Sequence, residues 1–223
     1  MGNPPAQKPS AQHYVPKFYL KGFTDKQAVL WVYERFKPKR PSKPKHEANR
    51  PDYYTHSEHG FRDESAEAEL RKMESLAGPV ISKLGNPQYQ MTREKASHLF
   101  IFVAFMFVRV PSWREHLDKT FVEMVRKNQL ARARDKEGFH RTCREMEQQT
   151  GKPLGMDAEE LRQYVLTGEY DIEQTSDAFS LGAMFTSGLA VMDELQKFGF
   201  EVLYAPEGRF FVTSDSPVYT IKP

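Results

Sequence analysis

Gln12-His13-Tyr14-Val15-Pro16-Lys17-Phe18-Tyr19-Leu20-Lys21-Gly22-Phe23 sets ionisable groups among four aromatic rings. His13 carries the side chain best suited to proton transfer near neutral pH. Lys17, four residues on, can hold a phosphate or carboxylate, with Tyr19 beside it. A His13 bonded to backbone would instead pin the first strand or turn. Glu67 and Glu74 stand seven residues apart, which turns them only about 20° from each other on a helix. Both lie on the shoulder of an apolar stripe, and a half-buried carboxylate wants a cation or a donor. Such a pair suits a divalent metal or acid–base work, whereas pairing with surface Lys or Arg needs neither. Arg109 directly follows the apolar run Leu99 to Val108. A cation there needs a carboxylate or an anionic ligand, and Glu67, Glu74 or Asp215 is its expected partner. A helix C-terminus would favour the same charge without any ligand. In Thr213-Ser214-Asp215-Ser216-Pro217, hydroxyls flank an acid in a turn after a strand, a common place for sites. Asp and Ser also make turns through their own local hydrogen bonds. Tyr54 and Ser214 join Lys17 and Tyr19 as candidate ligand-binding residues.

The elements that must position these groups read as follows. Val29-Leu30-Trp31-Val32-Tyr33 predicts a strand. Lys37-Pro38-Lys39-Arg40-Pro41-Ser42-Lys43-Pro44-Lys45 predicts an extended solvated loop that does not pair in a sheet. Tyr53-Tyr54-Thr55 predicts a short strand. Ala66, Leu70, Met73, Ala77, Val80 or Ile81 and Leu84 form one apolar stripe, predicting a helix from Asp63 that ends at Gly85-Asn86-Pro87. A second helix runs from about Arg93 to Arg109, apolar on every face and therefore buried, until Pro111 stops it. Ser112-Trp113-Arg114-Glu115 reads as a capping box opening a long polar helix, with Gly138 as an interruption. Asp157 and Glu160 open a short helix ending at Gly168, and Ser176 to Phe198 forms another with Gly199 as its stop. Glu201 to Tyr204 and Phe210 to Thr213, around Pro206-Glu207-Gly208, read as a hairpin, and Val218 to Ile221 as a further strand.

Bulk properties narrow the possibilities. The chain has 223 residues, 39% hydrophobic and 28% charged, as in a globular protein. One cysteine, Cys143, allows no internal disulfide, so a reducing compartment and a cytoplasmic location are expected. The longest apolar run falls well short of the roughly 20 residues of a membrane span, so no membrane partner is expected. The net charge is only +2, yet residues 35–50 hold seven Lys or Arg against one acid, Glu47. That loop is a candidate contact for nucleic acid or an acidic partner, although a solvated loop explains it too. His56-Ser57-Glu58-His59 lacks a third ligand and is a weak zinc motif. The basic stretch from Arg126 to Arg144 is interleaved with acids and reads as an exposed helix face.

Four segments together are similar to a known pattern: His13 to Leu20 followed by Phe23; Glu67 and Glu74 with Ala77-Gly78-Pro79-Val80-Ile81; Arg109-Val110-Pro111; and Phe211 to Pro217. In order and spacing they resemble the family of unknown function catalogued as DUF 4238. The resemblance runs from His13 to Val218. Members usually carry Asn where this chain has Ser216, and continue into further strands with a Pro-Leu-containing segment. The resemblance therefore implies either a truncated form or last strands supplied otherwise, and it implies no particular reaction.

The expected fold is α+β: a leader over 1–11, assigned as disordered, then one helix-rich domain over 12–223. Its small, mainly antiparallel sheet is formed by N- and C-terminal strands. That arrangement brings His13, Arg109 and Asp215 together, with Glu67 or Glu74 alongside. The group is equipment for a phosphate-handling hydrolase of nuclease or phosphoesterase type, with or without a divalent metal. His13 would be the general base, Arg109 and Lys17 would hold the anion, and Asp215 and a Glu would orient His13 or bind metal. The alternative is a non-catalytic ligand- or protein-binding module in which the cluster is a structural network.

Overall fold

Leu99 to Val108 has apolar side chains all the way round, and a helix of that kind is stable only when covered on every side. In the computed structural model, which describes residues 10–58, 61–172 and 178–221, this run is the second half of α3 (Arg93–Val108). Thr92 caps its start, accepting from the Lys95 amide at 3.3 Å. Phe102, Ala104, Phe105, Met106 and Val108 are buried. The cover comes from two helices, α2 (Ser65–Ile81) and α7 (Ala178–Leu195), which both pack on α3. Leu70, Ala77 and Val80 are the inward stripe of α2. Gly188 of α7 meets Phe105 so closely that a Cβ there would stand 2.7 Å from the ring.

The predicted stripes thus form α2 and α3, but their ends differ. Asp63 does not start α2; its Oδ1 accepts from the Ser65 amide at 2.8 Å. Pro111 opens the next helix rather than only stopping α3. It is the first residue of α4 (Pro111–Arg134), where a proline loses no helical hydrogen bond. Ser112 therefore lies inside α4 and caps nothing. The break after α4 comes at Asp135, whose Oδ1 accepts from the Gly138 amide at 3.1 Å to start α5 (Lys136–Thr150). Gly138 does not interrupt the helix: it leaves room for this cap, since a Cβ there would collide with the Asp135 carboxylate. α6 (Ala158–Thr167) starts on Asp157, which accepts from the Glu159 amide at 2.8 Å, and ends at Gly168 in the left-handed conformation. Position 176, the expected start of the last helix, lies outside the described residues, and α7 ends before Phe198.

The α+β class holds, and the sheets are small and antiparallel, but their strands come from one end of the chain. All six described strands lie between residues 11 and 63. β1 (Ala11–His13) pairs with β4 (Asn49–Pro51), with Gln12 opposite Arg50. β2 (Leu30–Val32) pairs with β3 (Arg40–Ser42), with Trp31 opposite Pro41. β5 (His56–Glu58) pairs with β6 (Phe61–Asp63). The basic proline-rich loop is thus partly a strand after all. Pro41 is tolerated because a two-stranded ribbon has an unpaired edge on each side. Tyr53 and Tyr54 lie in a turn instead of a strand. Of the expected leader, residues 1–9 lie outside the described residues, while Ala11 is in β1 and the Ser10 amide donates to Asp52 at 2.9 Å.

Among the described residues of 201–221 no strand forms. The turn at Pro206-Glu207-Gly208 is present, with Gly208 at φ 75° and the Arg209 amide donating to the Pro206 carbonyl at 3.0 Å. Its flanks do not pair. They are held by side chains: Tyr204 donates to the Leu84 carbonyl at 2.9 Å, and Val218 packs on Val15, Leu20, Phe102 and their neighbours.

Among the described residues, four that are not glycine take left-handed backbone angles, Ala28, Phe36, Ala48 and Asp52, with φ between 51° and 64°. All lie among the short strands of the N-terminal region. The described residues fall into two compact units, one drawn from 1–114 and 176–223, the other from 115–175. Among the described residues, no single helix is long and apolar enough to cross a membrane.

Candidate functional site

The N-terminal signature is mostly core. Pro16 is extended and starts α1 (Lys17–Lys21), a single turn of helix whose Leu20 is buried. Val15 and Leu20 join Leu30, Ala77, Phe102 and Met106 in one apolar cluster, with Phe18, Tyr19 and Phe23 packed against it. The aromatic spacing of this stretch therefore serves packing. His13 and Lys17 are its polar edge: Lys17 is exposed, and His13 ends β1 half-buried.

Burial lowers the pKa of His13, and the charge of Lys17 lowers it further. The backbone at Lys45 and Pro44 and the charge of Glu74 favour the protonated form but do not prevail. Nε2 is buried without a hydrogen-bond partner.

Arg109 closes α3, its amide donating to the Phe105 carbonyl at 3.1 Å. Its guanidinium points inward and is 2% exposed. Nη1 donates to Glu74 Oε1 at 2.8 Å and Nη2 to the Met106 sulfur at 3.0 Å, while the group lies 5.9 Å from the centre of the Phe102 ring. The expected acid partner is therefore Glu74, and the pair ties α3 to α2. Glu67 instead bonds Arg71, one turn along its own helix, at 3.0 Å. Burial raises the Glu67 pKa. The two carboxylates take separate cations, and among the described residues no three His, Cys, Asp or Glu converge as metal ligands.

Tyr54, one of the expected ligand-binding residues, lies inside the core. It is fully buried, and burial pushes its phenol well above the usual range. It packs with Tyr53, Leu70, Phe105 and Met184. Its hydroxyl and Arg109 Nε are both buried without partners. Both residues line a cavity of about 10 Å³ with Trp113 and Met184, room for about one water molecule and too little for a phosphate ester.

The C-terminal acid reaches a different neighbour from the one expected. Among the described residues no hydrogen bond joins Asp215 to His13. Asp215 is exposed and acts on Tyr14, whose phenol is raised by burial first and by that carboxylate second. Ser214 is engaged in its own turn, donating to the Ser216 carbonyl at 2.8 Å and accepting from the Ser216 amide at 3.1 Å. Tyr19 and Thr213 hydroxyls meet at 3.3 Å, and those of Ser112 and Ser216 at 3.0 Å. The two ends of the chain thus meet at side chains, with His13, Lys17, Tyr14, Tyr19, Thr213 and Asp215 as the polar groups of that region.

Gln12 was not singled out from the sequence. It is buried, its Nε2 donates to Thr55 Oγ1 at 2.9 Å, and its Oε1 accepts from the Tyr54 amide at 2.5 Å. It fixes the turn that carries Tyr53 and Tyr54 to the strand that carries His13. A lone glutamine gives no periodic signal; only the pairing of β1 with β4 buries it. His56 lies across from Asp63 in the β5–β6 ribbon, while its expected companion His59 lies outside the described residues.

No curated protein and no solved structure matches the chain. A family model described as "Protein of unknown function (DUF4238)" matches residues 11–223, as the motifs from His13 to Pro217 imply. The chain belongs to the DUF4238 family.

Proposed function

We propose that this protein is a phosphate-handling hydrolase of nuclease or phosphoesterase type, with His13 as general base and Lys17 as the cation that holds the anion. The state of the His13 ring carries this reading. Burial and Lys17 favour its neutral form, and its Nε2, buried at the end of β1, has no hydrogen-bond partner. A neutral imidazole with an unengaged nitrogen is suited to take a proton from an attacking water once an opening of the surface around it admits that water. Arg109 and Glu74 act as positioning residues beneath it, and the Tyr19 and Thr213 hydroxyls border the region. The single buried cysteine accords with a reducing compartment, and we read the protein as cytoplasmic.

A second reading is a non-catalytic ligand- or protein-binding module held together by this network. The burial of Arg109 on Glu74 favours it, because such a pair needs no substrate.

Hydrolysis of bis(p-nitrophenyl) phosphate and of a short oligonucleotide, with and without added divalent cation, separates the two. The hydrolase reading expects turnover that His13→Gln abolishes while the melting temperature stays near that of the parent. Its rate should rise with pH and level off below the ordinary histidine value of about 6.5, since the lowered pKa leaves the ring neutral earlier. Stability has the same sign. The folded ring binds fewer protons than the unfolded one, so stability falls as the pH drops below about 6.5, and His13→Gln weakens that dependence. No turnover by the parent protein, together with a large loss of stability in His13→Gln, would favour the network instead.

A further inference from the structure

We infer that the β2–β3 hairpin is a docking surface for single-stranded nucleic acid. This inference does not rest on the hydrolase reading. Trp31, Tyr33 and Phe36 are 45%, 74% and 91% exposed. Trp31 lies in β2 and Tyr33 directly follows that strand. Phe36 sits in the turn closed by the Lys37 amide donating to the Glu34 carbonyl at 3.1 Å. Its φ of 64° is a left-handed angle that favours glycine. A phenylalanine there strains the backbone and gains almost no burial in return. Neither the turn nor the core accounts for that ring.

Cations accompany the rings. The Arg35 guanidinium lies 4.7 Å from the centre of the Phe36 ring, and Lys39 Nζ lies 5.3 Å from that of Trp31. Glu34 bonds Lys37 and Arg40, and Glu47 bonds Arg40 and Ser42. Glu34 and Glu47 are thereby engaged, and among the described residues no carboxylate pairs with the exposed Arg35, Lys39 or Lys43. Seven Lys or Arg against one acid in residues 35–50, within a chain of net charge +2, leaves the rest of the molecule net negative. The positive charge is therefore concentrated where the rings are exposed.

Exposed rings interleaved with cations match a single strand, whose bases stack on aromatic faces while its phosphates meet Lys and Arg. Bases already stacked in a duplex do not offer those faces. Insertion into an anionic membrane fits less well, because the single ring at the tip is surrounded by Glu34, Arg35 and Lys37, and the Glu34 ion pairs would have to leave water.

The test uses fluorescence anisotropy of the whole chain with oligouridylate and oligodeoxythymidylate of about twenty nucleotides, a duplex of the same length, and phosphatidylserine vesicles. The inference expects single strands to bind best, the two oligomers showing whether RNA or DNA is preferred. Phe36→Gly should weaken binding about tenfold while leaving the melting temperature unchanged or higher, because glycine relieves the turn. Trp31→Ala should weaken it similarly. Lys39→Ala with Lys43→Ala should reduce the slope of log affinity against log salt by about 1.4, from about 0.7 per phosphate contact on a single strand. Absence of binding, equal affinity for duplex with no effect of either ring substitution, or binding to vesicles alone would each overturn it.

Discussion

Arg109 is a full charge almost entirely removed from bulk solvent. Its stability depends on Glu74, which is only a quarter exposed itself. Glu74→Ala leaves the guanidinium buried without its counter-charge and should cost about 3 kcal/mol, read from urea denaturation. Adding Arg109→Met to that variant should recover much of the loss, because the stranded charge is then gone. A Glu74→Ala protein with parental stability would mean that the guanidinium turns out to solvent. This pair was half legible in the sequence. A cation after a long apolar run must be neutralised, so an acid partner was required, but three carboxylates were equally eligible until α2 and α3 were placed side by side. Gln12 was illegible, because its two hydrogen bonds go to Tyr54 and Thr55, more than forty residues away. Glu67 and Glu74, grouped by their spacing, take separate cations: Arg71, one turn away, bonds Glu67, and Arg109 bonds Glu74.

Elements were most legible where one physical signal dominated. α3 was given by its all-round apolar run and α6 by the Asp157 cap and the Gly168 exit. They were least legible where two signals competed. The α4–α5 break falls at the Asp135 cap, although Gly138 is the residue that looks like a helix breaker. The ribbon β2–β3 forms through a stretch with three prolines, because an edge strand needs only alternate amides. At this scale α7 approaches α3 closely at one glycine. Gly188 lies against the Phe105 ring, and Gly188→Ala would push a methyl group into it. The gain in helix propensity is about 1 kcal/mol, whereas overpacking costs typically 1–3 kcal/mol. Net destabilisation is expected because Phe105 is itself buried and has nowhere to move. A lower denaturation midpoint at unchanged slope checks this; a stabilised Gly188→Ala would show that the ring can give way.

Across the molecule, the two ends of the chain come together, though by a different means from the strands that the sequence favours. β-Branched and aromatic residues from Glu201 to Ile221 carry strand propensity, yet the described N-terminal strands pair only with one another and leave their outer edges unpaired. The union rests on Val218, on the Tyr19–Thr213 and Ser112–Ser216 contacts, and on Tyr204. Val218→Asp puts a charge against the cluster of Val15, Leu20 and Phe102 and should lower stability by about 2 kcal/mol. Thermal melts check it, and an unchanged melting temperature would mean that the C-terminal segment contributes nothing to the fold.

Ala28, Phe36, Ala48 and Asp52 bear on the order in which this structure can assemble. Each adopts a shape that an L-residue avoids when left to itself, at a cost of the order of 1 kcal/mol per position. Such a segment is expected to take shape late: the helical trio α2, α3 and α7 closes and offers a surface, and the loops and ribbons between Ser10 and Asp52 then set like a cast taken from it. Mutations in that stretch should then speed unfolding and leave the refolding rate unchanged, and slowed refolding would count against this order.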